Sequence, residues 1–346
     1  MKINSYNSGK IKVMSFLSII FVIYIHSPYI EALGHPFAQS VYRGMTDFGL
    51  AIFAVPLFYF MSGMLFFNGI KSWKDCLPKM HKRIYTLLIP YLIWNLIFVS
   101  WFAIMGLLPG ISQFVNSNVF TQLDWNDPLA SLNFLFIQPA GFHLWFLRDL
   151  ILYVMISPLL YEVILRFKWG SLVILFLCLG WMPRLGLTYF LLGGIISTHY
   201  SLEKFSNCLN GKISITLFII YLLNSMAMSL GLLHNGNVLF QYYVQIMSII
   251  AIAAIWGMYD LLIKHDEKQP FGVAEWMSYT FFIYLFHEPA FNIIKKLGLR
   301  LLGVHDWSLI LLFIINPFIM IVLAIGVGMI FKRLLPKVYA VCLGGR

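Results

Sequence analysis

Long apolar runs alternate with short polar clusters along almost the whole chain. A helix needs about 20 mainly apolar residues to cross a bilayer. Runs of that kind lie at 13–33, 48–68, 85–108, 144–165, 213–233, 240–263, 277–299 and 308–331. The stretch 171–199 is also apolar, but Pro183 and Arg184 interrupt it, which predicts two short helices joined by a tight turn. The pattern therefore predicts an all-α polytopic membrane protein of about ten transmembrane helices. One run poses a question of its own. In "SIIFVIYIHSPYI", residues 18–30, almost unbroken hydrocarbon leads to His26, with Pro28 two places further on.

Charge orients the spans. With both termini in the cytoplasm, the inner segments hold Lys2, Lys10 and Lys12; Lys71, Lys74, Lys79, Lys82 and Arg83; Arg166 and Lys168; Lys204 and Lys212; Lys264 and Lys268; and Lys332, Arg333, Lys337 and Arg346. That is eighteen of the 24 basic residues. The outer segments hold five (Arg43, Arg184, Lys295, Lys296 and Arg300), and Arg148 lies within a span. This excess of inner Lys and Arg is what the positive-inside rule expects. The stretch "NIIKKLGLR" is the exception and is expected to cap the ninth span at the outer face.

Composition narrows the class further. The 346 residues are 60% hydrophobic and only 11% charged, where a soluble domain is nearer one quarter charged. The net charge of +10 sits in clusters between apolar runs, so it speaks for membrane topology and no nucleic-acid partner is expected. Cys76, Cys178, Cys208 and Cys342 are scattered, which suits neither a disulfide framework nor a structural zinc site. The basic start and first apolar run resemble a signal peptide, but "YIEALG" is a poor cleavage site, so a retained first helix is expected. The longest non-membrane segment, 109–143, has no Lys or Arg, and its "FLFIQPAGF" suggests that it folds back onto the membrane surface. With no internal repeat and no soluble insertion, residues 1–346 read as a single membrane domain.

Ionisable groups within spans cost several kcal/mol unless paired or wetted, so each is a functional candidate. At about 1.5 Å per residue, His26 lies roughly 20 Å across from the inner side and His287 about 15 Å. Arg148 lies about 7 Å below the outer mouth, where His143 sits, with Asp149 beside it. Three spans thus place titratable groups in the middle-to-outer membrane. His26-Ser27-Pro28 and His287-Glu288-Pro289 also share a His-x-Pro pattern. Each helix should bend or stop there, leaving the carbonyls of Tyr24 and Leu285 available beside the imidazoles. Irregular backbone at that depth is tolerated only inside protein or beside a wet cavity. The bland reading makes both histidines buried hydrogen-bonding partners between helices.

In "HLWFLRDLILY", residues 143–153, Arg148 and Asp149 point about 100° apart on a helix, so they are not expected to face one partner. Either each pairs with another helix, or Arg148 lines a cavity and Asp149 orients a histidine. The sequence has no GxSxG, Walker A, HExxH or GxGxxG motif, so metal chemistry, hydride transfer and ATP hydrolysis lack support. The small residues of "FMSGM" (Ser62, Gly63) suit a close helix approach.

Taken in order, the first-span His26, "VPLFYFMSGMLFF", "KMHKRIYTLLIPYLIW", "HLWFLRDLILYVMISPLL" and "MSYTFFIYLFHEP" resemble the acyltransferase 3 family of bacterial membrane O-acyltransferases. The likeness covers nearly the whole chain. It implies a multi-pass protein of the bacterial inner membrane that takes an acyl group, acetyl above all, from cytoplasmic acyl-CoA. The acceptor would be a hydroxyl of a surface or exported glycan, or of a lipid-linked saccharide. No permanently bound cofactor and no metal are implied, and a homo-oligomer is left open. The family's catalytic base falls on His26, and Lys82 and Arg83 are candidate contacts for CoA phosphates. The family arginine eleven residues before that histidine is Ser15 here, with Lys12 one turn earlier as its candidate substitute.

Such chemistry gives an intramembrane histidine a purpose. A hydroxyl attacking a thioester must lose its proton, and a placed imidazole accelerates that roughly 10²–10⁴-fold. The oxyanion needs a donor, for which Arg148 or His143 is suited. The catalytic candidates are therefore His26, His143, Arg148, Asp149, His287 and Glu288. Two rival readings differ in kind: a non-enzymatic polysaccharide exporter or flippase on the same scaffold, and a transporter relaying protons through His26, His287 and Glu288.

Overall fold

The computed structural model describes residues 4–46, 48–107, 137–179, 186–200, 202–233, 237–263 and 274–345. Residues 109–136 of the long outer segment lie outside this set, as do Lys2, Pro183, Arg184, Lys264, Lys268 and Arg346. Among the described residues there is no strand. In chain order the α-helices are α1 Ser5–Ile25, α2 Pro36–Met45, α3 Ala54–Phe67, α4 Cys76–Arg83, α5 Ile89–Leu107, α6 Trp145–Met155, α7 Ser157–Phe167 and α8 Trp169–Leu179. They continue as α9 Gly186–His199, α10 Leu202–Cys208, α11 Gly211–Ser229, α12 Val238–Leu262, α13 Thr280–Leu302, α14 Asp306–Leu334 and α15 Pro336–Cys342.

Among the described residues, six segments are long and apolar enough to cross a membrane: Ser5–Ile25, Pro36–Phe67, Trp73–Met105, Gly211–Ser229, Val238–Leu262 and Asp306–Leu334. The pair Phe142–Met155 and Ser157–Phe167 makes a seventh if counted as one span. The apolar stretch 171–199 forms two short helices, α8 and α9, of 11 and 14 residues. The long helices α11 and α14 present exposed apolar rows. Val322 is 70% exposed and Leu223 58%, in rows with Phe318, Ile330 and Met226, apolar area too large to face water.

The first helix starts at Ser5 rather than at residue 13. The apolar window begins only after Lys12, whereas the helix start is set by its cap. Asn4 is extended and its side chain accepts the Asn7 N–H at 2.8 Å, satisfying one of the first-turn donors. Lys10 is therefore inside a spanning helix.

Contacts group the chain into two compact units, Met1–Cys76 with Ser157–Ile325, and Leu77–Ile156 with Gly326–Arg346. In the first, α3 and α9 lie backbone against backbone. A Cβ on Gly63 would strike the Phe190 carbonyl, and one on Gly193 the Phe60 carbonyl. Without a hydrophobic drive between helices in lipid, such close approach supplies the packing. In the second unit, α5 carries the structure. Asn95 accepts the Ala140 N–H at 2.7 Å and Trp94 Nε1 donates to the Cys342 carbonyl at 3.2 Å.

Candidate active site

The site in the first unit begins where α1 stops. The His26 N–H still reaches the Val22 and Ile23 carbonyls, at 3.3 and 3.1 Å, and the Ser27 N–H reaches Tyr24 at 3.1 Å. Pro28 has no N–H with which to continue. The Tyr24 carbonyl is thus taken by Ser27 and is not left open beside the imidazole, because the helix tightens into a final turn. Ser27 Oγ then donates to the Phe313 carbonyl and the Tyr24 hydroxyl to that of Ile314, each at 3.1 Å, tying the end of α1 to α14. His26 is left half-buried.

The second His-x-Pro behaves differently. Glu288, the residue before Pro289, leaves the helical region (φ −101°, ψ 139°), so that α13 is two helical segments joined at a kink, since a following proline disfavours helical backbone before it. His287 is fully buried, its Nδ1 2.7 Å from the Tyr284 carbonyl. The engaged carbonyl is that of Tyr284, not Leu285, since a histidine ring turns back along its own helix. A carbonyl only accepts, so Nδ1 carries the hydrogen and Nε2 of the neutral ring is the acceptor. Glu288, also buried, accepts from Asn292 Nδ2 at 2.6 Å.

The kink and the stop bring the two rings together. Their centroids are 5.4 Å apart with planes 31° from parallel. One imidazole is half-open and the other enclosed, which suits a proton acceptor backed by a fixed neighbour. Lys295, further along α13, donates to the carbonyls of His26 at 3.0 Å and Pro28 at 2.6 Å. The basic stretch of α13 therefore does not simply cap its helix, because one of its lysines turns inward.

The remaining fourth-span candidates belong to the second unit. His143 is buried with its ring edge-on to Phe98 and Phe142, at 5.2 and 5.9 Å. Arg148 and Asp149, expected to seek separate partners, pair with each other: Nε lies 2.8 Å and Nη2 2.7 Å from Asp149 Oδ1. The angle between their Cβ vectors is real, but a guanidinium on a long stem swings across it and closes a forked pair. Arg148 Nη1 also donates to the Ile137 carbonyl. Lys82 and Arg83 end α4, Lys82 exposed and Arg83 half-buried.

At the N-terminal end of α1, sequence reasoning counted Lys10 with the cytoplasmic charges. Its Nζ is instead fully buried, 2.6 Å from Asp260 Oδ2 and 4.1 Å from the Trp256 ring centre. Tyr6 donates to the other Asp260 oxygen at 2.7 Å. Lys12 is exposed, and the Ser15 hydroxyl donates to the Ile11 carbonyl at 2.8 Å. The capping Asn4, three residues before Asn7, was the signal that α1 begins early enough to bury Lys10. All four cysteines are free thiols.

The fold and this site define a multi-pass helical membrane protein with a close pair of histidines. Residues 9–333 match the acyltransferase domain family, and the chain belongs to that family, acyltransferase 3. It is similar to the succinoglycan biosynthesis protein ExoH of Rhizobium meliloti (strain 1021), 25% identical over 354 residues that cover 98% of this chain and 92% of that protein. No solved structure matches it.

Proposed function

We propose that the protein is an inner-membrane O-acyltransferase that moves an acyl group, acetyl above all, from cytoplasmic acyl-CoA to a hydroxyl of an exported or cell-surface glycan. Family membership supports acyl transfer, and the similarity to a succinoglycan biosynthesis protein supports a polysaccharide acceptor. The observation that carries the mechanism is the pairing of half-buried His26 with enclosed His287 at 5.4 Å.

In this reading the acceptor hydroxyl attacks the thioester carbonyl while His26 takes its proton. The new C–O bond forms, the C–S bond breaks, and the imidazolium returns the proton to the departing CoA thiolate. His287 stays neutral, its tautomer held by Tyr284. Lys12, Lys82 and Arg83 are the candidate contacts for donor phosphates.

The test is CoA release by detergent-permeabilised inner-membrane vesicles given acetyl-CoA and the cell's own envelope glycan. His26→Ala should abolish release with the protein still inserted, and a wild-type rate in that variant would remove His26 from the mechanism. A second reading is an exporter on the same scaffold, favoured by the uncharged Ser15 whose hydroxyl is engaged within its own helix. It predicts no CoA release from the wild type and a glycan that changes location without gaining acyl groups.

A further inference from the structure

The helix end that carries His26 leaves carbonyls with no helical N–H to receive, at a depth where an unmet polar group costs several kcal/mol. Lys295 meets two of them. Its Nζ donates to His26 and Pro28, on either side of Ser27, while lying 5.0 Å above the Tyr29 ring and 5.9 Å from that of Phe291. Tyr29 is held in turn by Asn316, whose Nδ2 donates to its hydroxyl at 2.5 Å. An ammonium has three donors and no acceptor, so it can bind this turn only through carbonyls. A cation also complements the negative end of a helix. A charge cap needs nothing so specific. The adjacent Lys296 is exposed, and Lys295 alone of the pair turns inward to the segment that bears the imidazole.

We propose that Lys295 is a positioning residue for His26. Its ammonium clamps the His26-Ser27-Pro28 turn of α1 onto the segment of α13 that follows the Glu288–Pro289 break, and so fixes the imidazole against His287, the last residue before that break. This rests on the reading of His26 as the general base.

The test compares wild type, Lys295→Met, Lys295→Arg and His26→Ala in purified proteoliposomes, with acetyl-CoA varied at fixed envelope glycan. Methionine keeps the stem and removes the donors, while arginine keeps charge and donors. Lys295→Met should lower kcat roughly 10–100-fold, the range for a displaced catalytic group, with KM for acetyl-CoA changed less than about twofold. Lys295→Arg should restore part of kcat. A wild-type kcat in Lys295→Met, or a loss of folded protein with unchanged turnover per folded molecule, overturns the proposal. If the methionine variant does not accumulate, Lys295→Gln, which keeps one donor amide, takes its place. Its kcat should then fall below that of Lys295→Arg, and equality with wild type overturns the clamp. His26→Ala separates the two ideas: if it is active, the general-base reading fails. If it is dead while Lys295→Met is fully active, only the clamp fails.

Discussion

Removing either partner of the Lys10–Asp260 pair should cost different amounts, and the structure says which costs more. Taking away one member of a buried ion pair costs about 3–5 kcal/mol, because the other is left uncompensated. Asp260→Leu is the full case. Lys10 Nζ is fully buried, and among the contacts described it would keep the ring faces of Trp256 at 4.1 Å and Tyr259 at 5.5 Å, which offset at most about 2 kcal/mol. Lys10→Met is milder. Asp260 keeps the Tyr6 hydroxyl at 2.7 Å and its side chain is 19% exposed, so the loss should fall to about 1–3 kcal/mol, the cost of one unmade bond to a charged group. The double variant removes both charges and should recover most of the loss, since a buried pair replaced by apolar groups of similar volume is often neutral. Reversible unfolding in mixed micelles titrated with SDS measures all three free energies. The reasoning is refuted if Lys10→Met is the more damaging single change, or if the double variant loses the sum of the two.

Two further outcomes follow from the same structure. His287→Phe keeps a ring against His26 but deletes both nitrogens, and should cut CoA release at least tenfold at equal protein yield; a wild-type rate would reduce His287 to packing. Gly193→Val pushes a side chain into the Phe60 carbonyl, so α3 and α9 must part at a cost of about 3 kcal/mol or more, the upper range for overpacking. Gly326→Ala, with open space around its Cβ, is the control, and the two should differ clearly in melting temperature in detergent.

Much of this was legible in the chain because lipid punishes exceptions. Proline two residues after histidine marked both helix breaks. Similar depths grouped His26 and His287 with His143, Arg148 and Asp149, and the two imidazoles do lie 5.4 Å apart; the small residues of "FMSGM" marked a close helix crossing. Three features escaped. Lys10 was lost because hydropathy locates hydrocarbon, not helix starts, and the Asn4 cap adds turns before the apolar run begins. The Arg148–Asp149 pair was lost because a helical wheel compares Cβ directions and ignores the reach of a guanidinium. The inward turn of Lys295 was lost because topology rules sort lysines by side of the membrane and carry no information about where the ammonium bonds.

The Lys10 and Lys295 misses share a physical cause that bears on function. From Val13 onward α1 is apolar on nearly every face, and apolar contact has no preferred direction. In lipid there is not even a hydrophobic drive to press one helix on another. Such a helix is free to rotate or slide unless something directional holds it, and a rotation by one residue would swing the His26 ring by about 100°. The directional bonds stand at its two ends, about 24 Å apart along the axis. Lys10 binds Asp260 of α12 near the start, and Lys295 of α13 binds the His26 and Pro28 carbonyls at the finish. Lys10 is fully buried there and Lys295 half-buried. The Tyr24 and Ser27 hydroxyls add bonds to α14 at the same finish, and fixed at both ends α1 has one register and one rotation. If His26 is the general base proposed above, it stands at the end of a featureless helix and needs that constraint, which the two lysines are placed to supply.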